Sequence, residues 1–399
     1  MVNFSFHKRG DRLLFILALA VLAGALLSLA VRPRRAKEAG QENATPEIVF
    51  THWWQDDLEK EALLELIRDF ESTSRDFKIT LYARSYEDLR FGLFNPAVDS
   101  PADIVSLDPL WVPELKKRGV LDYAEKPLLS FLNVLYYNTG ILTQAGFSRP
   151  PKTRGEFLAC ARAVTAMDGN HWGLALGGAS SRGMFNDVYP WFWSAGQVLI
   201  EEGKPVINTR AVTESLSFLA TLNSESLIVP GALSAGTERK LDDFISGRTA
   251  FMIASAADIE LMRERMGESA FGITSVPVPD NYAGRSFYAI TGWTAGIHSA
   301  SAYKEEARIF IDFLAANASR LQEKIPGNGA MPSPDPFYSK IWDIAISAES
   351  AEDFFGMAGE HELQEIFREE LAGIFSGSTS PAGAAASIQD KWTVLLSSM

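Results

Sequence analysis

Short apolar strands alternate with amphipathic helices along most of the 399-residue chain, and this order limits the possible folds more than any other feature. The run Ile48 to Phe50 predicts a first strand, and the spacing of Leu63, Ile67 and Phe70 predicts a helix after it. Asp103 to Leu107 repeats the strand pattern further along the chain. Strands that alternate with helices in this way pack as α/β layers with largely parallel strand pairing.

A charge-free apolar segment of 19 residues, Leu13 to Val31, lies near the N-terminus between basic residues. About 20 apolar residues can span a bilayer, but a basic start followed by an apolar core is also typical of a secretory signal peptide. Ser28-Leu29-Ala30 offers small residues for cleavage, so a cleaved signal and an uncleaved anchor are alternatives. Both place the remainder outside the cytoplasm, in the periplasm or at the cell surface. Small polar residues then indicate a linker, so that 1–45 forms the signal or anchor segment and linker.

The charge and the cysteine content exclude several classes of partner and of covalent chemistry. The formal net charge is −13, and the first 45 residues are rich in Lys and Arg, which leaves the remainder strongly acidic. Such a surface argues against nucleic acid or an anionic membrane as partner. Cys160 is the single cysteine, so no intramolecular disulfide and no lipid-modified N-terminal cysteine is expected. Its apolar helical surroundings predict a small core side chain.

The sequence contains no motif that indicates catalysis or a cofactor. HExxH, GxSxG and Walker A patterns are missing, and the five histidines are scattered without metal-ligand spacing. We therefore expect neither a metal nor another cofactor. The enzymatic alternative is a carbohydrate-active hydrolase built on paired carboxylates. Fifty acidic residues make accidental pairs inevitable, so we favour a non-enzymatic protein.

Four longer segments, taken in order, carry a resemblance to a known family. They are EIVFTHWWQDDLEKEALLELIRDFE, DIVSLDPLWVPELKKRGVLDYAE, NVLYYNTGILTQAGFSRPPKTRGEFLACARAVT and ITGWTAGIHSASAYKEEARIFIDFLAA. The first has a strand, an aromatic loop and a helix, and the third has a Tyr-Tyr-Asn strand end, an Ala-Gly turn and a capped helix. This order resembles the extracellular solute-binding proteins of ABC sugar importers, the maltose-binding-like family 1.

The resemblance implies an α/β, two-lobed periplasmic-binding-protein-like fold, each lobe a mainly parallel sheet flanked by helices, with a ligand cleft between the lobes. Lobe one is expected at 46–128 plus 278–325, and lobe two at 129–277 plus 326–399. The implied function is capture of a small ligand, a sugar or oligosaccharide, by hinge closure. A monomer would then deliver the ligand to the membrane subunits of an ABC importer. A membrane-tethered sensory receptor of the same fold is the other alternative.

Aromatic residues near strand ends are the main candidates for the ligand site. Aromatic rings cover the flat C–H faces of sugars, while carboxylate, amide and guanidinium groups bind the hydroxyls. In open α/β sheets, ligands bind beyond the carboxyl ends of the strands. The predicted ligand-binding residues are Trp53, Trp54, Asp108, Trp111, Tyr136, Trp191, Trp193, Gly292 and Trp293.

Each candidate also has a purely structural alternative. A large aromatic side chain is more often core than ligand platform, and Asp108 precedes a proline where it could cap a short helix. Trp191 and Trp193 are included because DVYPWFWSAG resembles the aromatic ligand-stacking segment of the family. Trp293 is included because Gly292 beside it leaves the backbone open. Arg182 is a further candidate for binding hydroxyls or a carboxylate, with a solvated loop arginine as its alternative.

Overall fold

The computed structural model describes residues 45–54, 60–73, 76–95, 102–321, 334–351 and 359–398. The apolar segment Leu13 to Val31 and its proposed cleavage site therefore lie outside the described residues. Within the described ranges, no helix combines the length and the apolar character needed to cross a bilayer.

Twelve strands are present in the described part of the chain. In chain order they are β1 Glu47–His52, β2 Lys78–Ala83, β3 Ile104–Leu107, β4 Leu121–Ala124, β5 Leu129–Asn138, β6 Trp172–Ala175, β7 Ile200–Glu201, β8 Lys204–Pro205, β9 Thr249–Ser255, β10 Phe271–Thr274, β11 Phe287–His298 and β12 Glu349–Ala351.

The helices lie between these strands, as the alternating pattern predicts. They are α1 Lys60–Thr73, α2 Tyr86–Phe94, α3 Val112–Lys117, α4 Thr139–Gln144, α5 Arg154–Thr165, α6 Ser181–Gly183, α7 Pro190–Trp193, α8 Arg210–Ser224, α9 Thr237–Ile245, α10 Ile259–Met266, α11 Lys304–Ala316, α12 Ala318–Leu321, α13 Pro336–Ser347, α14 Glu360–Ser376 and α15 Pro381–Ser397. Short 3₁₀ turns at 109–111, 232–234 and 256–258, and a π-helical turn at 184–188, complete the set.

Ten of the strands form one sheet along the path β2-β1-β3-β11-β5-β9-β6, with β4 and β12 beside β11 and β10 beside β5. β1 pairs in parallel with β2 and β3, and β6 pairs in parallel with β9. The pairs at the centre, β11 with β3 and β5, and β5 with β9, are antiparallel. The predicted α/β class is confirmed.

β11 is a single strand of 12 residues that belongs to two parts of the sheet. Its residues Ile290 to Trp293 pair with β5, and the next four residues, Thr294 to Ile297, pair with β3. One continuous backbone segment therefore connects the β2-β1-β3 side to the β5-β9-β6 side. The change of partner falls between Trp293 and Thr294.

The hydrophobic residues pack into two clusters. One contains the inner faces of β1, β3, α1 and α11, and the other contains α5, α8, α14 and α15 against β6 and β9. Cys160 lies in the second cluster at 2% exposure, so the prediction of a small core side chain is confirmed. The predicted cap of α5 is also present, because Thr153 Oγ1 accepts from the backbone N–H of Glu156 at 3.3 Å.

Candidate functional site

Two neighbouring strands end at the same edge of the sheet and supply the first candidate residues. β1 and β3 pair in parallel, with Phe50 opposite Ile104. Trp53 follows β1 directly, and Asp108 follows β3. The backbone N–H of Trp53 donates to Ser106 Oγ at 3.1 Å, which holds the tryptophan loop against β3. Since ligands bind beyond the carboxyl ends of such strands, this edge is the candidate functional site.

Three of the predicted tryptophans form one aromatic cluster at this edge. Trp54 stacks on Trp293 with ring centroids 5.5 Å apart and an interplanar angle of 15°. Trp53 meets Trp293 edge-on, also at 5.5 Å between centroids. Phe131, on β5, packs against Trp293 at 5.0 Å. The structure thus brings together residues from β5, from β11 and from the loop after β1.

Gly292 has a packing role beside this cluster. β11 and β5 approach so closely that a Cβ at position 292 would lie 2.7 Å from the carbonyl oxygen of Leu129. Pairing of the two strands therefore requires a residue without a side chain at this point. The additional role of Gly292 at a ligand stays a prediction.

Tyr86, the first residue of α2, extends the cluster and was not among the predicted residues. Its ring lies edge-on to Trp53 at 5.1 Å and is 4.6 Å from the ring of Trp111. Its hydroxyl donates to Asp108 Oδ2 at 3.0 Å. The side chain of Ser85 caps α2 and so fixes where Tyr86 begins the helix. An aromatic residue directly after a capping serine was the only sequence signal for this position.

Asp108 has the capping role that the sequence offered as the alternative, and its role at a ligand stays a prediction. Its Oδ1 accepts from the backbone N–H of Leu110 at 3.0 Å and caps the turn 109–111, so the capping alternative is confirmed. Its Oδ2 faces the aromatic cluster through the hydroxyl of Tyr86. The side chain is buried, and burial raises the pKa of Asp108, an effect that the nearby Arg182 guanidinium opposes.

Two polar residues from later segments reach the same edge. The guanidinium carbon of Arg182 lies 4.0 Å from the ring centroid of Tyr86 and 5.2 Å from that of Trp53. Glu360, the first residue of α14, is only 8% exposed. Burial and the carboxyl group of Asp108 raise the pKa of Glu360 to about 8. Arg182 and Glu360 come from segments assigned to lobe two, whereas their partners come from segments assigned to lobe one.

We expect Glu360→Gln to flatten the dependence of stability on pH. A carboxyl group with a raised pKa in the folded protein contributes stability that is complete below its unfolded pKa and is lost as pH rises through its folded pKa. Between about pH 5 and about pH 9, the melting temperature of the wild type should therefore fall relative to that of the variant, by an amount worth a few kcal/mol at most. Thermal unfolding measured across this range tests it.

The matched control for this experiment is Glu362→Gln, because Glu362 is an exposed residue in the same first turn of α14. Its profile should run parallel to that of the wild type. Parallel profiles for Glu360→Gln and the wild type would contradict the raised pKa of Glu360.

Three predicted residues are fully buried and lie away from the carboxyl ends of β1 and β3. Trp191 packs edge-on against Phe157 at 5.1 Å, and Trp193 packs against Phe185 at 5.1 Å. The hydroxyl of Tyr136 donates to a backbone carbonyl of β9 at 2.7 Å. All three side chains are 0% exposed. Their role at a ligand stays a prediction.

The edge combines aromatic, acidic and basic side chains. Aromatic rings lie next to a carboxylate and a guanidinium here, and the rings are almost completely buried, with Trp54 at 0%, Trp293 at 2%, Trp111 at 3% and Trp53 at 4% exposure. The role of these residues at a ligand stays a prediction. Across the ranges that the structure describes, no group of three His, Cys, Asp or Glu side chains is placed to hold a metal ion.

Comparison with known proteins gives a family match over most of the chain. The sequence pattern of the family described as "Bacterial extracellular solute-binding protein" matches residues 36–320. A protein of Brucella abortus that is described as a binding protein is 24% identical over 265 residues, which cover 64% of this chain and 63% of the relative. A protein of Deinococcus radiodurans that is described as an ABC transporter-binding protein is 18% identical over 281 residues, 66% of each chain.

Solved structures share the fold. The GacH receptor of Streptomyces glaucescens, solved unliganded and with acarbose, superposes with a TM-score of 0.74 at 19% identity, covering 89% of this chain and 99% of its own. The maltose/maltodextrin-binding domain MalE of Bdellovibrio bacteriovorus, bound to maltotriose, gives 0.71 at 17% identity, covering 88% and 100%. At these identities the likeness establishes the two-lobed architecture, as the sequence predicted.

Proposed function

Because this chain belongs to the bacterial extracellular solute-binding protein family, we propose that it captures a carbohydrate outside the cytoplasm and delivers it to an ABC importer. The observation that carries the proposal is the aromatic cluster at the carboxyl ends of β1 and β3, with Asp108 beside it. The ring of Tyr86 lies between the other two, with its centroid 5.1 Å from that of Trp53 and 4.6 Å from that of Trp111. Such rings suit the C–H surfaces of a sugar, and Asp108 suits its hydroxyls.

Contacts between the segments assigned to the two lobes support hinge closure as the mechanism. Arg182 reaches from one segment onto the rings of Trp53 and Tyr86 in the other. A ligand that touched both segments would interact more strongly with a closed arrangement than with an open one, and would shift the population towards closure. The lobe boundaries proposed from the sequence, 46–128 plus 278–325 and 129–277 plus 326–399, assign these residues to opposite sides.

Two structural relatives support a carbohydrate as the ligand. Acarbose was bound to the GacH receptor, and maltotriose was bound to the Bdellovibrio domain. The Deinococcus relative, described as an ABC transporter-binding protein, supports an importer as the partner. The match spans 63% of the length of the Brucella relative. The substrate and the partner of this chain are therefore proposals, argued from the site.

We expect Trp53→Ala to weaken sugar binding at least about tenfold, or 1.4 kcal/mol. The loss follows from removal of the ring that contacts both Tyr86 and Trp293 at the site. The purified protein is first screened against neutral sugars, amino sugars, sugar acids, polyols and peptides by thermal shift, and the affinity of the best ligand is then measured by calorimetry.

The control for this comparison is Trp172→Phe. Trp172 starts β6 and also has an arginine, Arg248, over its ring at 5.2 Å, but it lies outside the candidate site. The Trp172→Phe variant should bind the sugar with the same affinity as the wild type. If Trp53→Ala folds and binds unchanged, or if only peptides stabilise the protein, the proposal is wrong.

We further propose that the protein acts as a monomer and binds its ligand without turnover. Family membership supports a binding role, and the site offers stacking and hydrogen bonding. Mass spectrometry of the ligand after prolonged incubation tests turnover, and a steady product would favour the hydrolase. Sedimentation tests the monomer. The intact mass of the exported protein distinguishes a cleaved signal from an anchor retained at Leu13 to Val31.

A further inference from the structure

Tyr86 contacts both Trp53 and Asp108, and we call these three residues the aromatic–acid cage. The rings of Trp53 and Tyr86 are perpendicular, at 87°, with centroids 5.1 Å apart. Asp108 Oδ2 is 3.0 Å from the hydroxyl oxygen of Tyr86 and so lies at the rim of the same ring. Trp53 and Asp108 are 4% and 7% exposed. The cage is therefore largely shielded from water.

The group that fills this cage is a cation. The guanidinium of Arg182 lies over both rings, at 4.0 Å from the centroid of Tyr86 and 5.2 Å from that of Trp53. Ring faces carry negative electrostatic potential, so they attract a cation within about 6 Å, and the attraction grows when water is excluded. The carboxylate of Asp108 adds a charge of the complementary sign. The geometry and the electrostatics of the cage thus both select positive charge.

Arg182 does not belong to the part of the chain that builds the cage. It lies in the short helix α6, after β6, whereas the cage residues follow β1 and β3 or begin α2. The contact joins the segments assigned to the two lobes, so it would break if those segments moved apart. The side chain of Arg182 is only partly buried, and its guanidinium is the group that an external cation would replace.

A second feature of the cage indicates an external partner. The indole Nε1 of Trp53 is shielded from solvent, and no hydrogen-bond acceptor meets it in the part of the chain that the structure describes. A buried donor without an acceptor costs about 1–3 kcal/mol, and such a cost is removed when a ligand supplies the acceptor. A sugar hydroxyl has the required lone pair.

We propose that the aromatic–acid cage is a cation subsite that takes a basic nitrogen of the ligand, an amine or a guanidinium, in exchange for Arg182. This inference rests on the proposed function and narrows it to a carbohydrate that carries a basic nitrogen. A neutral sugar would have to displace Arg182 without replacing its charge beside Asp108. Arg182 is thereby the residue that disfavours neutral ligands at this subsite.

Chemical rescue tests the subsite without knowledge of the natural ligand. Arg182→Ala removes the internal cation, and ethylguanidinium is added as an external substitute of the same shape, with ethylurea as its neutral isostere. Tryptophan fluorescence and thermal shift report binding. We expect Arg182→Ala to bind ethylguanidinium saturably and at least about fivefold more tightly than ethylurea. The variant should also bind ethylguanidinium about fivefold more tightly than the wild type does, because Arg182 competes for the cage in the wild type. The double variant Arg182→Ala with Tyr86→Leu should bind ethylguanidinium at least about threefold more weakly than Arg182→Ala does.

The matched control is Arg84→Ala, because Arg84 also lies over a tyrosine, Tyr82, at 4.9 Å, but that ring is 42% exposed. No saturable response is expected there. Equal responses of the two variants, or equal responses to the two probes, would overturn the proposal. If Arg182→Ala does not fold, Arg182→Gln gives the same readout with a neutral planar head. Sugar binding by the wild type is measured separately, so loss of the subsite and loss of the proposed function are distinguishable.

Discussion

Trp191→Ala is expected to lower the free energy of unfolding by about 3–5 kcal/mol. The indole is 0% exposed and lies 5.1 Å from the ring of Phe157 and 5.0 Å from that of Phe218, measured between centroids. Removing it leaves a cavity that these rings and α8 fill only in part, so both the transfer energy and the packing contacts are lost. Chemical denaturation of the wild type and the variant measures the difference.

This experiment also decides between the two roles that the sequence allows for Trp191. Trp172→Ala is the control. Because Trp172 is only half-buried, this variant should lose less free energy of unfolding than Trp191→Ala does. A folded Trp191→Ala variant of undiminished stability that binds sugar at least about tenfold more weakly would establish the ligand platform instead. The structure favours the core role.

Lys240→Met is expected to destabilise the protein by about 3–5 kcal/mol. Lys240 Nζ donates to Asp187 Oδ1 at 2.7 Å and to the carbonyl oxygen of Ile253 at 2.8 Å, and the side chains of this ion pair are 4% and 3% exposed. The substitution leaves the carboxylate of Asp187 buried with its countercharge removed. Burying a charge that has lost its hydrogen-bonded partner costs far more free energy than the intact pair contributes. Lys240→Met is therefore expected to be the least stable of these variants.

The double variant Asp187→Asn with Lys240→Met separates the two contributions. Asn can still accept from the backbone N–H of Gly177, which in the wild type donates to Asp187 Oδ2 at 2.7 Å. The double variant should therefore recover about 1–3 kcal/mol relative to Lys240→Met. Arg210→Met, which breaks an exposed pair with Glu214, should change stability by less than about 1 kcal/mol. A double variant less stable than Lys240→Met would contradict this account.

The order of elements could be predicted from the sequence because each signal is local. The apolar runs that became β1 and β3, and the cap at Thr153, depend on neighbours within a few residues. β11 was harder to predict, since its glycines and its mixed pattern reflect two different partner strands. Its pairing is a property of the sheet and has no local signature.

The candidate site could be predicted only in part for the same reason. Trp53 and Asp108 could be predicted as candidates because ligands bind beyond the carboxyl ends of strands, and each strand end can be recognised in the sequence by itself. Tyr86 and Glu360 became visible only when the fold placed them beside Asp108, since nothing near them in the sequence indicates that neighbour. Burial was the other quantity that could not be predicted: Trp53 at a strand end and Trp191 in a helix are 4% and 0% exposed, so both pack in the core.

The shared strand β11 has a consequence for the order in which the chain can fold. Leu107 of β3 pairs with Thr294, and the long intervening chain has to be synthesised before that partner exists. Until then β3 presents an unpaired edge, and pairing across such a sequence separation is slow. The β2-β1-β3 side of the sheet therefore gains its remaining partner strand only after β11 has been synthesised. Completion of this part of the sheet is an event of the nearly finished polypeptide, since β11 lies in the last third of the chain.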